Sequence, residues 1–198
     1  AQRFNADRPE ARATLGNVYV RLGRMRDAEE EYRAALRLNS QFAPAAINLA
    51  ELYRLLGRNA DGEQVLRTTI AASPRDAALH HALGLALTRL KRQDEALAEL
   101  RRATELDPDG ARYAYVYAVG LHSAGRTDEA MALLKQSLTE HPNDRDIVLA
   151  LVSYSRDAGD LASALAYAER AARIMPGDPG LAALIGQLRQ QTGNAGSR

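Results

Sequence analysis

The side chains able to do chemistry are four histidines and a spread of arginines and carboxylates, and their spacing converges on no reaction. His80 and His81 are neighbours. Successive residues of a helix point about 100° apart, so the two cannot close on one ion, and no third ligand is evident. His80 falls in a packing column of its helix and His81 in the exposed column. His141 stands before Pro142 and reads as a solvated helix end. There is no glycine-rich phosphate loop, no nucleophile elbow and no histidine pair at helical spacing, so no catalytic residue, metal site or cofactor is expected. With no cysteine, disulfides, thiolate metal sites and a covalently attached haem are excluded within these residues.

What organises the chain is a repeat. One column holds Leu15, Leu49, Leu83, Tyr117 and Leu151, each 34 residues from the last, and the next holds Gly16, Ala50, Gly84, Ala118 and Val152. Further columns hold Tyr19, Tyr53, Leu87, Leu121 and Ser155, then Ala28, Gly62, Ala96, Ala130 and Ala164, then Ser40, Pro74, Pro108, Pro142 and Pro176. Apolar positions within a unit fall three and four apart, the helical period. An apolar share of 46%, rich in Ala and Leu, with 5% aromatic residues favours close-packed helices, so the chain is expected to be all-α. A net charge of +1 lacks the positive field that draws a protein to nucleic acid or anionic lipid. No apolar run approaches the roughly 18 to 20 residues a membrane span needs, and the expectation is a soluble protein, cytoplasmic or periplasmic.

Each unit reads as a helical hairpin. Gly23, Gly57, Gly125 and Gly159 supply the left-handed residue that ends a first helix, and Thr127 is positioned to cap the helix after it. Lys91 replaces glycine in the third turn at a cost on the order of 1 kcal/mol, which predicts a distorted turn there. The closing proline stops the second helix. Small residues at 16, 50, 84 and 118 let helices approach closely. Gly62, which weakens its helix by roughly 0.5 to 1 kcal/mol relative to Ala, Val152 and Ser40 depart from the pattern. Acids such as Asp61, Glu63, Asp94, Glu95, Asp128 and Glu129 open second helices, as the helix dipole favours.

These columns resemble the tetratricopeptide repeat, whose signature is Leu-Gly-x-x-Tyr, then a small residue, then a late proline. The resemblance implies a right-handed α-solenoid of five stacked hairpins and a C-terminal capping helix. The units are 9–42, 43–76, 77–110, 111–144 and 145–178, with 179–192 as the capping helix. Residues 1–8 would be the end of a truncated preceding repeat, with Phe4 on its last helical turn, and 193–198 a disordered tail. In the capping helix Ile185 and Gly186 hold packing columns, while Gln187, Arg189, Gln190 and Gln191 make a wet outer face.

The same resemblance places certain first-helix positions on the inner wall and implies a groove for a peptide segment of a partner. They are Ala13 and Asn17; Ile47, Asn48, Glu51 and Arg54; His81, Leu85 and Thr88; Arg112, Tyr115, Val119 and His122; Leu149, Ser153 and Arg156. Ile47, Leu85, Val119 and Leu149 offer apolar contact, Tyr115 a ring with a polar tip, and Arg54, Arg112 and Arg156 partners for carboxylates. The ligand is expected to be acidic or amphipathic. Asn17 and Asn48 coincide with two asparagines that hold a peptide carboxylate in chaperone-binding members, but Ala13, Ala78 and Ala82 stand where that clamp has cations. A chaperone tail is therefore not the expected ligand.

The function expected is a non-catalytic protein-interaction scaffold. Two alternatives remain beside it. One is self-association through an uncapped N-terminal face around Val18 and Val20, or docking within a longer bacterial protein; Phe4 to Asn17 and His80 to Leu87 resemble repeat regions of multihaem cytochromes and envelope proteins. The other is a substrate-recruiting arm of an enzyme whose chemistry lies elsewhere.

Overall fold

Eleven α-helices make up the computed structural model, which describes residues 8–195, and no strand occurs among the described residues. First helices are α1 (Pro9–Arg21), α3 (Ala43–Leu55), α5 (Ala77–Arg89), α7 (Ala111–Ser123) and α9 (Arg145–Asp157). Second helices are α2 (Met25–Leu38), α4 (Asn59–Ala72), α6 (Gln93–Leu106), α8 (Thr127–Glu140) and α10 (Leu161–Ile174). A final helix, α11, runs Pro179–Ala195. Starts recur every 34 residues, from Pro9 to Ala43 to Ala77 in one series and from Met25 to Asn59 to Gln93 in the other. Pro74, Pro108, Pro142 and Pro176 each lie two residues past the end of a second helix, where a missing N–H costs nothing. The expectations for Phe4 and residues 1–7 lie outside the described residues.

The chain forms two compact units, Ala1–Asp107 and Pro108–Arg198. In the first, three hairpins pack pairwise, α2 on α3 and α4 on α5, with α1, α3 and α5 in contact in series. Its core has two clusters. Ala13, Ala28, Tyr32, Leu49 and Tyr53 form one; Ala46, Leu66, Leu79, Leu83 and Leu87 form the other. In the second unit α8 packs on α9, α7 on α9 and α11 on α10, and Val152, Ala164, Ala168 and Leu188 share a cluster.

The close approach of paired helices is set by volumes that trade across the hairpin. A Cβ at Gly16 would lie 2.5 Å from Cε1 of Tyr32, and one at Gly84 2.7 Å from Cγ of Leu100. The large partner's column is Tyr32, Leu66, Leu100, Leu134 and Ala168, so the unexpected Val152 faces the one small residue in that column. Total volume is kept, as a packed core demands. Gly62 is also tight, since a Cβ there would sit 3.2 Å from the Ala50 carbonyl oxygen.

Four sequence expectations are corrected. The Lys91 turn is not distorted: Lys91 takes φ 59°, and its neighbours keep the turn's hydrogen bonds, Lys91 N to Thr88 O at 3.0 Å and Arg92 N to Leu87 O at 3.0 Å. The backbone accepts the left-handed conformation because both hydrogen bonds depend on it. Thr127 is the first residue of α8 and not its cap; Arg126 holds the cap position, with its side chain on Glu129. His141 is no solvated end, for its Nε2 is buried without a hydrogen-bond partner among the described residues. At the C-terminus α11 continues to Ala195, into the segment expected as tail, and buries Leu181 and Leu188. Ile185 is half-buried and Gly186 exposed; Gln187, Arg189, Gln190 and Gln191 are exposed as expected.

Candidate functional site

In the first unit, α1 and α3 present Asn17 and Asn48 side by side. Tyr32 Oη donates to Asn17 Oδ1 at 2.6 Å, and Asn48 Nδ2 donates to the same oxygen at 3.0 Å. That oxygen is saturated, which fixes the orientation of the Asn17 amide and leaves Asn17 Nδ2 and Asn48 Oδ1 without a partner among the described residues. One donor and one acceptor are thus presented together, the complement of a peptide group. The pair lines an open groove of about 360 Å³ with Val20, Leu52 and Leu55 as apolar wall and Arg21 and Glu51 as charged rim. Gly16 positions this arrangement, because only a residue without Cβ lets Tyr32 reach Asn17.

Arg54 does not stand free as expected. Its Nε donates to Glu51 Oε1 at 2.7 Å, one turn back on the same helix, and that bond holds the Glu51 carboxyl below the usual range. A pair so close in sequence neutralises itself before any ligand arrives. Arg21, by contrast, makes no ion pair among the described residues. His81, expected in the exposed column, is 8% exposed; α5 is packed by α3, α4 and α6, which narrows its open strip. Ile47 and Leu85 are half-buried, Ile47 against the core cluster, and Thr88 is exposed. His80 is held at both nitrogens, Nδ1 2.6 Å from Glu99 Oε2 and Nε2 3.1 Å from Pro74 O, so it serves packing.

In the second unit, Arg112, Val119, Leu149, Ser153 and Arg156 are exposed on α7 and α9, with Tyr115 half-buried. Arg112 and Arg156 make no ion pair among the described residues. His122 is not a free wall residue. Its ring stacks on Tyr154 with centroids 3.9 Å apart, Nδ1 lies 3.0 Å from Thr127 Oγ1, and Nε2 lies 3.7 Å from Asp157 Oδ2. Burial pushes the Tyr154 phenol up, with Tyr115 and Asp157 adding to the effect.

Sequence reasoning passed over a ladder of arginines at the helix turns. Arg24, Arg58, Arg92 and Arg126 recur at the cap position, and each pairs with the acid three residues on: Asp27, Asp61, Glu95 and Glu129. Arg58 also reaches Glu29 at 3.0 Å and Arg92 reaches Glu63 at 2.7 Å, joining one hairpin to the next. Arg24 and Arg58 lie 4.5 and 4.3 Å over the rings of Tyr19 and Tyr53. The signal was in the period itself, an arginine column with an acid at plus three. Among the described residues, no group of three potential metal ligands occurs, and no helix is long and apolar enough to cross a membrane.

Comparison with known proteins follows the same lines. A Tetratricopeptide repeat family profile matches residues 12–143, and a second of the same description matches 121–179. The chain belongs to the tetratricopeptide repeat family. Among solved structures it is similar to Pseudomonas aeruginosa pilF, with 20% identity and a TM-score of 0.76 over 98% of this chain and 88% of that one. It is also similar to YrrB, described as a TPR protein with an unusual peptide-binding site, with 21% identity and a TM-score of 0.68 over 91% and 93%. The thermophilic TPR protein TTC0263 of Thermus thermophilus shares 25% identity, with a TM-score of 0.65 over 92% and 99%. Among curated proteins no sequence relative matches. These likenesses show the tetratricopeptide fold of stacked helical hairpins, a fold that mediates protein–protein interaction.

Proposed function

We infer that this tetratricopeptide protein is a non-catalytic scaffold whose α1–α3 wall holds an extended segment of a partner protein. The observation that carries this reading is the Asn17–Asn48 pair. Its preset donor and acceptor face a groove with an apolar wall, so a peptide backbone can be held while a large side chain rests on Val20, Leu52 and Leu55. A prebuilt wall lowers the ordering cost of binding, so modest contacts add to useful affinity. Arg21, with no ion pair among the described residues, favours a ligand with a carboxylate; Arg112 and Arg156 offer the same on the second unit, beside Tyr115 and Val119. On the first unit Ile47, Glu51 and Arg54 shape the wall, with Leu85 and the packed His81 on the neighbouring α5; on the second unit Ser153 lies exposed on α9 and His122 is packed on Tyr154.

The test is an equilibrium binding assay with peptides selected from a random display library on the intact chain. Replacing Asn17 and Asn48 by Ala is expected to weaken capture by about tenfold or more while the far-ultraviolet spectrum is unchanged, as for two lost hydrogen bonds. Equal capture by the double variant removes the wall from the account. A second reading, self-association, draws on Leu15 and Leu22, which are 37% and 64% exposed on and just after α1. Light scattering separates the two: a concentration-dependent dimer abolished by Leu22→Glu supports association, and a strict monomer dismisses it.

A further inference from the structure

The fifth repeat carries a pocket that the wall of α1 and α3 does not involve. Between the end of α8 and the last turns of α10, Pro142, Asn143, Arg170, Arg173 and Ile174 line an open cavity of about 410 Å³. Arg170 spans it and donates from Nε and Nη2 to the Pro142 carbonyl oxygen at 3.2 and 2.7 Å, which fixes its guanidinium across the mouth. Arg173 is exposed and has neither an ion pair nor a hydrogen bond among the described residues.

Comparison with the other repeats shows that this charge is not part of the repeat's own design. The columns of 170 and 173 read Ala34 and Arg37, Thr68 and Ala71, Arg102 and Glu105, then Gln136 and Thr139. In the third repeat the two columns neutralise each other, Arg102 pairing with Glu105 at 3.2 Å. In the fifth, arginine replaces that glutamate, and two like charges stand three residues apart, an arrangement that opposes helix formation. The dipole at the C-terminal end of α10 makes it tolerable. Glu169 pairs with Arg189 at 2.7 Å, Asp144 caps α9 through the backbone N–H of Ile147 at 2.9 Å, and neither Asp144 nor Glu140 at the end of α8 forms an ion pair with Arg170 or Arg173 among the described residues. The pocket therefore keeps its positive charge.

We propose that this pocket docks an acidic, extended segment of a protein partner, whose carboxylates pair with Arg173 and the open face of Arg170 while an aliphatic side chain rests on Pro142 and Ile174. Guanidinium groups suit carboxylates because two parallel N–H donors match two oxygens, and a group fixed beforehand loses less freedom on binding. Asn143 adds an amide able to meet the ligand's backbone. The half-buried Ile174 and the proline ring supply the apolar floor that a bare ion would not use.

The experiment is a backbone-amide NMR titration of the intact chain with the probe peptide acetyl-Glu-Leu-Glu-Glu-Leu-Glu-amide, its glutamine counterpart, and inorganic phosphate. The acidic peptide is expected to shift the amides of Asn143 and of residues 170–174, the glutamine peptide to bind about tenfold or more weakly, and phosphate to leave Ile174 unmoved. Arg173→Glu and the milder Arg173→Gln are expected to weaken binding with the helical spectrum retained, and Arg102→Gln to leave it unchanged. Shifts confined to Asn17 and Asn48, an equal response to phosphate, no response at millimolar peptide, or unaltered binding by both Arg173 variants would each overturn the proposal.

Discussion

Replacing Lys91 by glycine should make the protein more stable, although it removes a charged surface side chain and puts the residue least suited to regular structure in its place. Lys91 sits at φ 59°, a left-handed conformation that the turns of the first, second, fourth and fifth hairpins give to glycine at φ 72°, 73°, 78° and 76°. An L-residue there costs roughly 1 to 2 kcal/mol because Cβ crowds the following carbonyl. Glycine returns about 0.4 to 1 kcal/mol of that through its freer unfolded chain. Lys91 makes no ion pair among the described residues, so no compensating contact is lost. The net gain is about 0 to 1.6 kcal/mol, centred on about 0.8, or up to about 6 °C in Tm for a chain of this size. Urea denaturation followed by circular dichroism at equal m-value measures it, with Gly57→Lys as the reverse change, expected to destabilise by a similar amount. If Lys91→Gly lowers the midpoint, or if Gly57→Lys is neutral, then the turn is not held by the left-handed residue and the reasoning fails.

Three further outcomes follow from the packing and the titrating groups. Gly16→Ala puts a Cβ where the Tyr32 ring lies, so unfolding experiments should show a loss of roughly 1 to 3 kcal/mol, and the Asn17 side-chain amide signal should move as its Tyr32 hydrogen bond breaks. Val152→Ala and Ala168→Leu should each destabilise, one by leaving a cavity and the other by overpacking, while the double variant recovers most of the loss; strictly additive effects would show that the two positions do not share volume. Stability should fall at the acid end through Glu51 and at the alkaline end through three buried tyrosines. Glu51 has a folded pKa lowered by its bond from Arg54, so its contribution is present above the unfolded value near 4.3 and is lost as pH falls through the folded one. Tyr32, Tyr53 and Tyr154 are raised by burial, so theirs is present below the unfolded value near 10 and lost as pH rises through the folded one. Tyrosinate absorbance that appears before any loss of helix would contradict the second half.

The repeat columns were enough to foresee all-α architecture and the positions of the left-handed turns, because both depend on local geometry that recurs every 34 residues. Features that depend on two columns at once were harder to read. Val152 departs from its column until Ala168 is seen opposite, and the arginine column at 24, 58, 92 and 126 goes unread until the acid at plus three is seen to close on each. The inner-wall positions rest on the family resemblance, while the burial and pairing of each side chain come only from the structure. Asn17 and Asn48 lie in different columns and meet across 31 residues because α1 packs beside α3, whereas Arg54 is already bound to Glu51 and His81 is covered by neighbouring helices. Burial and pairing are set by what packs against a helix, which one helix's sequence does not contain. The basic pocket of the fifth repeat was missed because it breaks the period, and a periodic reading averages such a break away.

An extended peptide held through the Asn17 Nδ2 and Asn48 Oδ1 atoms is the central claim. Side-chain amide NMR of the intact chain, titrated with a library-selected peptide, reads this directly. The Asn17 and Asn48 side-chain NH2 signals are expected to shift together at one saturating concentration, and the shifts to vanish in Asn48→Ala with the fold intact. A peptide that binds at full affinity while both signals stay in place would contradict the claim.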